Sequence, residues 1–162
     1  MFYKNKKNQK GFGLLEIVIG LSLISVSFFA LFLVSQMSLK VSGENLNIVK
    51  ASFLAEEGLE AIRVFRDSGW DTYIGALNVD SDYYFEFNGI TWLSTTTNAY
   101  IDGIFERKFV LSSVYRNAAD DISVSGTPDP NTKKITVFIS WLTRSGTTTR
   151  SISTYLSNLF EN

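Results

Sequence analysis

The stretch that decides the fold is Lys10–Leu39, which reads KGFGLLEIVIGLSLISVSFFALFLVSQMSL. From Phe12 to Leu39 it contains 28 residues, and Glu16 is the one charged residue among them. About 20 apolar residues are enough to cross a bilayer as a helix, and a helix is required because lipid offers no partner for backbone polar groups. The sequence therefore predicts a transmembrane helix near the N-terminus.

A basic head precedes the apolar run. Residues 1–10 contain no acid and four lysines: Lys4, Lys6, Lys7 and Lys10. Positive residues beside a span remain on the cytoplasmic side of the membrane. We therefore expect a single-pass plasma (inner) membrane protein whose N-terminus is cytoplasmic.

Glu16 is the anomaly in the span. A carboxylate costs about 2.5 to 3.5 kcal/mol at the centre of a membrane on insertion scales, and less near an interface. Gly13, Glu16, Gly20 and Ser27 follow helical spacing and form one stripe of small or polar residues. One interpretation is a signal anchor whose carboxylate reaches the membrane surface. The other is a helix that pairs with other helices through this stripe.

The order of residues at the start of the span adds a family resemblance. The basic leader, Gly11, Phe12 and then Leu-Leu-Glu-Ile-Val resemble the class III signal of type IV prepilins. The resemblance implies that a membrane aspartic peptidase, the prepilin peptidase, cuts between Gly11 and Phe12. It also implies that the new amine of Phe12 is N-methylated and that Glu16 acts in assembly by pairing with the N-terminal amine of a neighbouring subunit.

Composition limits the function of the remaining chain. The 162 residues leave about 120 after the leader and the span, enough for one small domain. Beyond the four leader lysines, eleven basic residues face sixteen acidic ones, a balance of −5 that argues against general nucleic-acid binding. The chain has no cysteine and no histidine, which excludes disulfides, thiolate metal sites and histidine-based catalysis. We expect neither an enzyme nor a cofactor.

The helical pattern continues beyond the span to about Arg66–Ser68, with Gly69 at the C-cap side. Apolar residues recur every seven positions, with others beside them: Val41, Ile48, Ala55 and Ile62, then Val49, Phe53 and Leu59. Such an amphipathic stripe fits either a coiled coil or packing on the protein's own sheet, and we favour the sheet because strands follow.

The second half of the chain reads as an antiparallel meander. A loop over 70–81 precedes a hairpin with a type I′ turn at Asn88-Gly89, and a second loop over 117–131 contains Pro128 and Pro130. The predicted strands are Tyr83–Phe87, Ile90–Leu93, Ile104–Tyr115, Lys134–Leu142 and Thr147–Leu156. One long helix followed by strands predicts an α+β fold. The layout also resembles the pilin fold, in which the helix lies half in the membrane and half against a four-stranded sheet.

These patterns divide the chain into four parts. Residues 1–11 are the cytoplasmic leader peptide, and 12–39 are the transmembrane half of the helix. Residues 40–68 are its amphipathic half, and 69–162 are an antiparallel β headgroup.

Two groups of loop residues could be ligands for calcium. Their members are Asn78, Asp80 and Asp82, then Asp120, Asp121 and Asp129. The first group lacks the glycine and the final acid of a calcium loop, and turn chemistry explains both groups more simply. We therefore predict no metal site.

Four functions compete at this point. The first is a structural subunit, a minor pilin-like protein of a type IV pilus or related filament. The second is a pseudopilin of a type II secretion or competence system. The third is a signal-anchored extracytoplasmic binding module, and the fourth is a membrane-anchored enzyme, which the missing histidine and cysteine argue against. The first reading implies as partners other pilin subunits, prepilin peptidase, the inner-membrane pilus assembly platform and membrane lipid. The final location is then an extracellular filament.

Overall fold

The computed structural model describes residues 13–159, which form one long helix followed by six strands. The helix, α1, spans Leu14–Ser68, and a short π-helical segment, Asp71–Gly75, follows it. The strands are β1 (Tyr83–Phe87), β2 (Trp92–Thr95), β3 (Glu106–Arg116), β4 (Ile122–Ser123), β5 (Thr127–Thr143) and β6 (Gly146–Ser157). The predicted α+β class is confirmed.

Helix α1 ends where the sequence predicts. Its last residue is Ser68, and Gly69 follows with a φ of 147°. The Gly69 N–H donates to the Arg66 carbonyl over 3.3 Å. Glycine adopts positive φ without the steric cost of a Cβ, so it is a suitable residue to stop a helix. The segment after it was predicted as plain loop, but it contains the π-helical turn that buries Ile74.

The chain forms two compact units that divide between Leu46 and Asn47. The first unit contains the N-terminal part of α1. The second, which we call the head, comprises residues 47–162 and contains the C-terminal part of α1 and the sheet.

The sheet of the head is antiparallel. Its strand order is β2-β1-β3-β5-β6, and the short β4 pairs with the far end of β3. In sequence, β2 lies between the neighbours β1 and β3, and β4 lies between the neighbours β3 and β5, so the strand order departs from the predicted meander. The sheet therefore has six strands, two more than the resemblance implies.

The hairpin β1–β2 is present, but its predicted turn type is wrong. Pairing ends at Phe87 and Trp92, so the loop has four residues, 88–91. The side-chain Oδ1 of Asn88 accepts the backbone N–H groups of Ile90 and Thr91, both over 2.9 Å. This side-chain bonding closes a wider loop and replaces a two-residue type I′ turn, which needs positive φ at both central residues.

The segment 117–131 is not all loop, because β5 begins at Thr127 and includes both prolines. Pro128 lies opposite Tyr115, and a register shift follows between Ser113 and Val114. Pro130 falls within this shift. A bulge interrupts the ladder, so a residue without an N–H costs no ladder hydrogen bond there.

The core lies between the C-terminal part of α1 and one face of the sheet. Small residues on the helix let the strands approach closely: Ala51, Ala55, Gly58 and Ala61 are buried. A Cβ at Gly58 would lie 2.9 Å from Cγ1 of Val137 on β5. Rings fill the region beyond it, with Phe85 and Phe109 centroids 4.8 Å apart and Phe65 6.1 Å from Phe109.

The predicted stripe on α1 is only half correct. Ala55 and Ile62 are buried against the sheet, which confirms packing on the protein's own strands. Val49 and Phe53 are instead 51% and 66% exposed on the outer side of the helix. Val49 and Phe53 lie nearly opposite Ala51 on a helical wheel. The predicted stripe included positions beside the seven-residue repeat, so it combined residues from both faces of the helix.

Two ion pairs tie the helix to the sheet. Arg107 on β3 donates from one Nη to Glu57 over 2.6 Å and to the Leu54 carbonyl over 3.3 Å. Its side chain is only 6% exposed, and its guanidinium lies 5.1 Å from the centroids of both the Phe85 and Trp92 rings. The second pair joins Lys50 to Asp102 in the loop after β2, and both of its side chains are exposed.

Candidate processing and assembly site

The site predicted from the sequence comprises Gly11, Phe12 and Glu16. Gly11 and Phe12 lie outside the described residues, so cleavage and methylation there remain predictions. Glu16 lies in the first turn of α1, and its surroundings are described.

Glu16 is bound to the backbone at the start of its own helix. The Gly13 N–H donates to Oε2 of Glu16 over 3.0 Å. The Gly13 carbonyl accepts the N–H groups of Glu16 over 3.0 Å and Ile17 over 3.3 Å. Gly13 thus occupies the N-cap, and Glu16 at the third helical position reaches back to it, as in half of a capping box. A carboxylate in a first turn also complements the positive end of the helix macrodipole.

This contact is a role that the sequence interpretation missed. The sequence does contain a signal for this contact, because a glutamate three residues after an N-cap candidate is a helix-start signature. The contact keeps the carboxylate beside Gly13, at the N-terminal end of the helix. The cap therefore lowers the local cost of the charge without a partner from another chain.

The apolar part of α1 has no cover within the chain. All its large apolar side chains between Leu14 and Leu39 are at least half exposed, from 50% at Ile19 to 82% at Leu14. The helix is long and apolar enough to cross a membrane. Apolar surface of this extent requires lipid or protein around it, since soluble proteins rarely expose such patches.

Three serine hydroxyls inside the span are bonded to the helix itself. Ser22 donates to the Ile19 carbonyl, and Ser25 and Ser27 donate to carbonyls four residues earlier, each over 2.8 Å. A hydroxyl bonded to its own helix does not need water or another chain. These serines are therefore compatible with lipid, and Glu16 remains the one ionisable side chain of the run 14–39.

The stripe of small residues is open in the single chain. A Cβ built on Gly20 would meet no heavy atom within 4 Å. Ser27, further along, uses its hydroxyl on its own helix. The stripe leaves space for another helix to approach, but no described residue of this chain occupies it.

Three of the loop aspartates weighed as calcium ligands, Asp80, Asp82 and Asp129, are bound by other groups. Arg116 Nε lies 2.7 Å from Asp129 Oδ2, and this bond lowers the pKa of the Asp129 carboxyl. Lys108 lies 2.7 Å from Asp82, which raises the pKa of the lysine. Asp80 accepts from the Ser112 hydroxyl over 3.2 Å. Over residues 13–159, no three acidic side chains converge in a group that could bind a metal ion.

One tyrosine on the outer face of the sheet has a perturbed ionisation. Burial, together with the neighbouring Glu106 carboxylate, raises the pKa of Tyr84. Its hydroxyl donates to Glu106 over 3.2 Å, and Asn98 donates to the same oxygen over 3.2 Å. The three side chains form a local polar network that holds the loop after β2 against β1 and β3.

Comparison with known proteins bears on the N-terminal segment. Residues 6–32 match the family model of the prokaryotic N-terminal methylation motif, and this match includes Gly11, Phe12 and Glu16. The match covers about a sixth of the chain. No curated protein and no solved structure matches the chain. Together with a long apolar helix that continues onto an antiparallel sheet, the matched motif supports a type IV pilin-like prepilin.

Proposed function

We propose that this chain is a structural subunit, minor pilin-like, that is processed by prepilin peptidase and assembles into a type IV pilus or related filament. The observation that carries the proposal is the methylation motif at residues 6–32, which includes the start of an apolar helix whose large side chains between Leu14 and Leu39 are all exposed. A filament covers such a helix with the same segments of neighbouring subunits, and the membrane covers it before assembly.

Processing and assembly follow from the residues at the start of the helix. The cut falls between Gly11 and Phe12, and Phe12 is then N-methylated. Residues 1–11 are the cytoplasmic leader, 12–39 the transmembrane and assembly segment, 40–68 the amphipathic half of the helix, and 69–162 the headgroup. The subunit passes from the inner membrane to an extracellular filament.

The Glu16 carboxylate needs different partners in the membrane and in the filament. At the membrane surface its carboxylate reaches headgroup water and the Gly13 N–H. In a filament, water is excluded from the helix bundle, and an unpaired buried charge costs several kcal/mol. The amine of Phe12, released by the cut, supplies the nearby positive charge, so we infer that cleavage licenses assembly.

The proposal implies partners but no catalysis by this chain. They are other pilin subunits, prepilin peptidase, the inner-membrane assembly platform and lipid. A pseudopilin of a type II secretion or competence system would share the same processing and helix packing. The genes beside the coding sequence separate the two, because a retraction ATPase indicates a pilus and an outer-membrane secretion set indicates a pseudopilus.

Substitutions at Glu16 test the proposal in the native host. Filaments sheared from cells and membranes from the same cells are immunoblotted for the wild type and for Glu16→Ala, Glu16→Gln and Glu16→Asp. We expect all four proteins in membranes and processed, with Ala and Gln depleted from filaments and Asp intermediate. Equal recovery of Glu16→Ala and wild type in filaments contradicts the pairing, and a wild type that never enters filaments contradicts the proposed function.

A further inference from the structure

From residue 130 onward, the hairpin β5–β6 carries only one sign of charge. Residues 130–159 contain no acid and four basic residues, Lys133, Lys134, Arg144 and Arg150. None of these four side chains forms an ion pair with another residue in the range 13–159. Strand β6 is also an edge of the sheet, so the hairpin is accessible along one side.

Contacts along the helix define the two ends of the head. At the end where α1 enters, Lys50 lies over Phe105, which in turn contacts Trp141 with ring centroids 5.7 Å apart. At the end where α1 stops, Phe65 stacks with Tyr73, and Asp80 donates its N–H to Leu111 over 2.7 Å. We call these the entry end and the exit end.

The two arginines of the hairpin lie toward the entry end. Arg144 is in the turn between β5 and β6, next to Leu142, which is 76% exposed. Arg150 follows on the exposed edge strand, opposite Ile139. The two lysines lie at the other end of the hairpin, where Lys133 pairs with Leu156 and Lys134 with Tyr155.

Acids near the entry end are already bound or lie at the other margin of the sheet. Asp102 is paired with Lys50, and Glu106 accepts hydrogen bonds from Tyr84 and Asn98. Glu86 is on β1, three strands away from β6 in the sheet. We call the surface formed by Leu142, Arg144 and Arg150 the basic corner.

The exit end has the opposite charge. The two segments there, 67–82 and 117–129, contain seven acidic residues and no basic one. Arg66, Arg116, Lys133 and Lys134 flank them and leave an excess of three negative charges. Asp71 and Asp121 are exposed, and neither forms an ion pair with another described residue. We call these two segments the acidic loops.

We propose that the basic corner of one copy docks on the acidic loops of another copy, head to tail. The inference rests on the proposed function, since it assigns a contact between subunits of the filament. The two surfaces differ and lie at opposite ends of the head, so their contact is heterologous. A heterologous contact repeats from one copy to the next. When its rotation does not close a ring, the repeated contact builds a helical filament.

The charges account for the relative orientation of docked heads better than for the affinity between them. Exposed ion pairs contribute about 0 to 1 kcal/mol each, too little to join two free heads. Heads whose helices are already packed side by side have a high effective concentration for each other, so weak complementary charges then select one orientation.

A charge swap in the full-length chain tests the proposal. The variants are Arg144→Asp with Arg150→Asp, Asp71→Arg with Asp121→Arg, and all four changes together. Filament recovery is measured by immunoblotting sheared filaments and membranes, and protease resistance of the membrane-bound protein reports folding of the head. We expect each pair alone to lower recovery at least about tenfold, because like charges then face each other, and the combination to restore most of it.

Lys133→Glu with Lys134→Glu is the matched control, since it makes the same change of charge in the same hairpin at the exit end. Its recovery should stay close to that of the wild type. A control as depleted as the arginine variant, wild-type recovery of either reversed pair, or depletion without rescue by the combination overturns the docking of two copies. A wild type absent from filaments instead overturns the proposed function, and this inference falls with it.

Discussion

At the scale of single residues, the structure gives physical reasons for side chains that the sequence marks only as unusual. Glu16 is an isolated charge in an apolar run, and its bond to the Gly13 N–H gives it a partner within its own chain. Gly58 sits in the middle of a helix, where glycine costs about 1 kcal/mol relative to alanine. Its position is explained by the close approach of Val137, which no local pattern reveals.

Gly58→Ala should destabilise the head by about 1 to 3 kcal/mol, because a Cβ there would lie 2.9 Å from Val137 and overpack the helix–sheet contact. Urea unfolding of a fragment that begins at residue 40 measures the change. Gly43→Ala is the control, since a Cβ at Gly43 meets nothing within 4 Å and only raises helix propensity. A Gly58→Ala fragment as stable as Gly43→Ala would mean that the helix lies further from the sheet.

The ion pair of Asp129 makes the stability of the head depend on pH. Its bond to Arg116 holds the pKa of the carboxyl below the ordinary value of 3.8. The carboxylate therefore stabilises the fold fully above about pH 4, and this contribution is lost as pH falls through the lowered pKa. Asp129→Asn should reduce stability at pH 7 and shrink the loss of stability between pH 5 and acid.

Urea midpoints of the same fragment at several pH values check this prediction. Asp121→Asn serves as the control, because the Asp121 carboxylate forms no ion pair with the described part of the chain. It should follow the wild-type curve. An Asp129→Asn fragment that also follows the wild-type curve would show that the pair with Arg116 does not contribute to stability.

At the scale of elements, local signals predicted the ends of α1 and most strands. The helix ends before Gly69, and the alternation from Ile135 to Trp141 lies on one buried face of β5. Two errors have separate causes, one a local side-chain bond and the other a pairing between distant strands. Asn88 used its side chain to close a wider loop, and a bulge made Pro130 acceptable in a strand.

The two ion pairs between α1 and the sheet should differ greatly in energy. Arg107→Ala should cost about 2 to 3 kcal/mol, because it removes a buried guanidinium that packs against Phe85 and Trp92 and bonds to Glu57 and the Leu54 carbonyl. Lys50→Ala should cost less than about 1 kcal/mol, since the Lys50–Asp102 pair is exposed. Urea unfolding of both variants gives the comparison, and equal costs would contradict the buried position of Arg107.

At the scale of the whole molecule, composition predicted a membrane segment and a separate folded part. The chain divides between Leu46 and Asn47 into two compact units, and the described core residues lie in the second. The surfaces through which subunits meet were not predictable from one chain, because the surfaces that a filament buries are exposed in a monomer. The charge arrangement of the head depends on which turns the fold places at each of its two ends.

A fragment lacking residues 1–39 should be soluble and monomeric. The exposed apolar side chains of the span are removed, while the helix residues that cover the sheet remain. Sedimentation or light scattering of the fragment, with circular dichroism to report folding, provides the measurement. Insolubility or ordered oligomers would assign assembly to the head and contradict the role given to the span.

We propose that this chain is cut after Gly11 and enters a filament as a methylated subunit. N-terminal mass spectrometry of the protein recovered from sheared filaments is the direct test. The mature chain should begin at Phe12 and carry one methyl group on its amine. A filament or membrane protein that retains residues 1–11, or one that begins at a later residue, would refute this processing and favour a signal anchor.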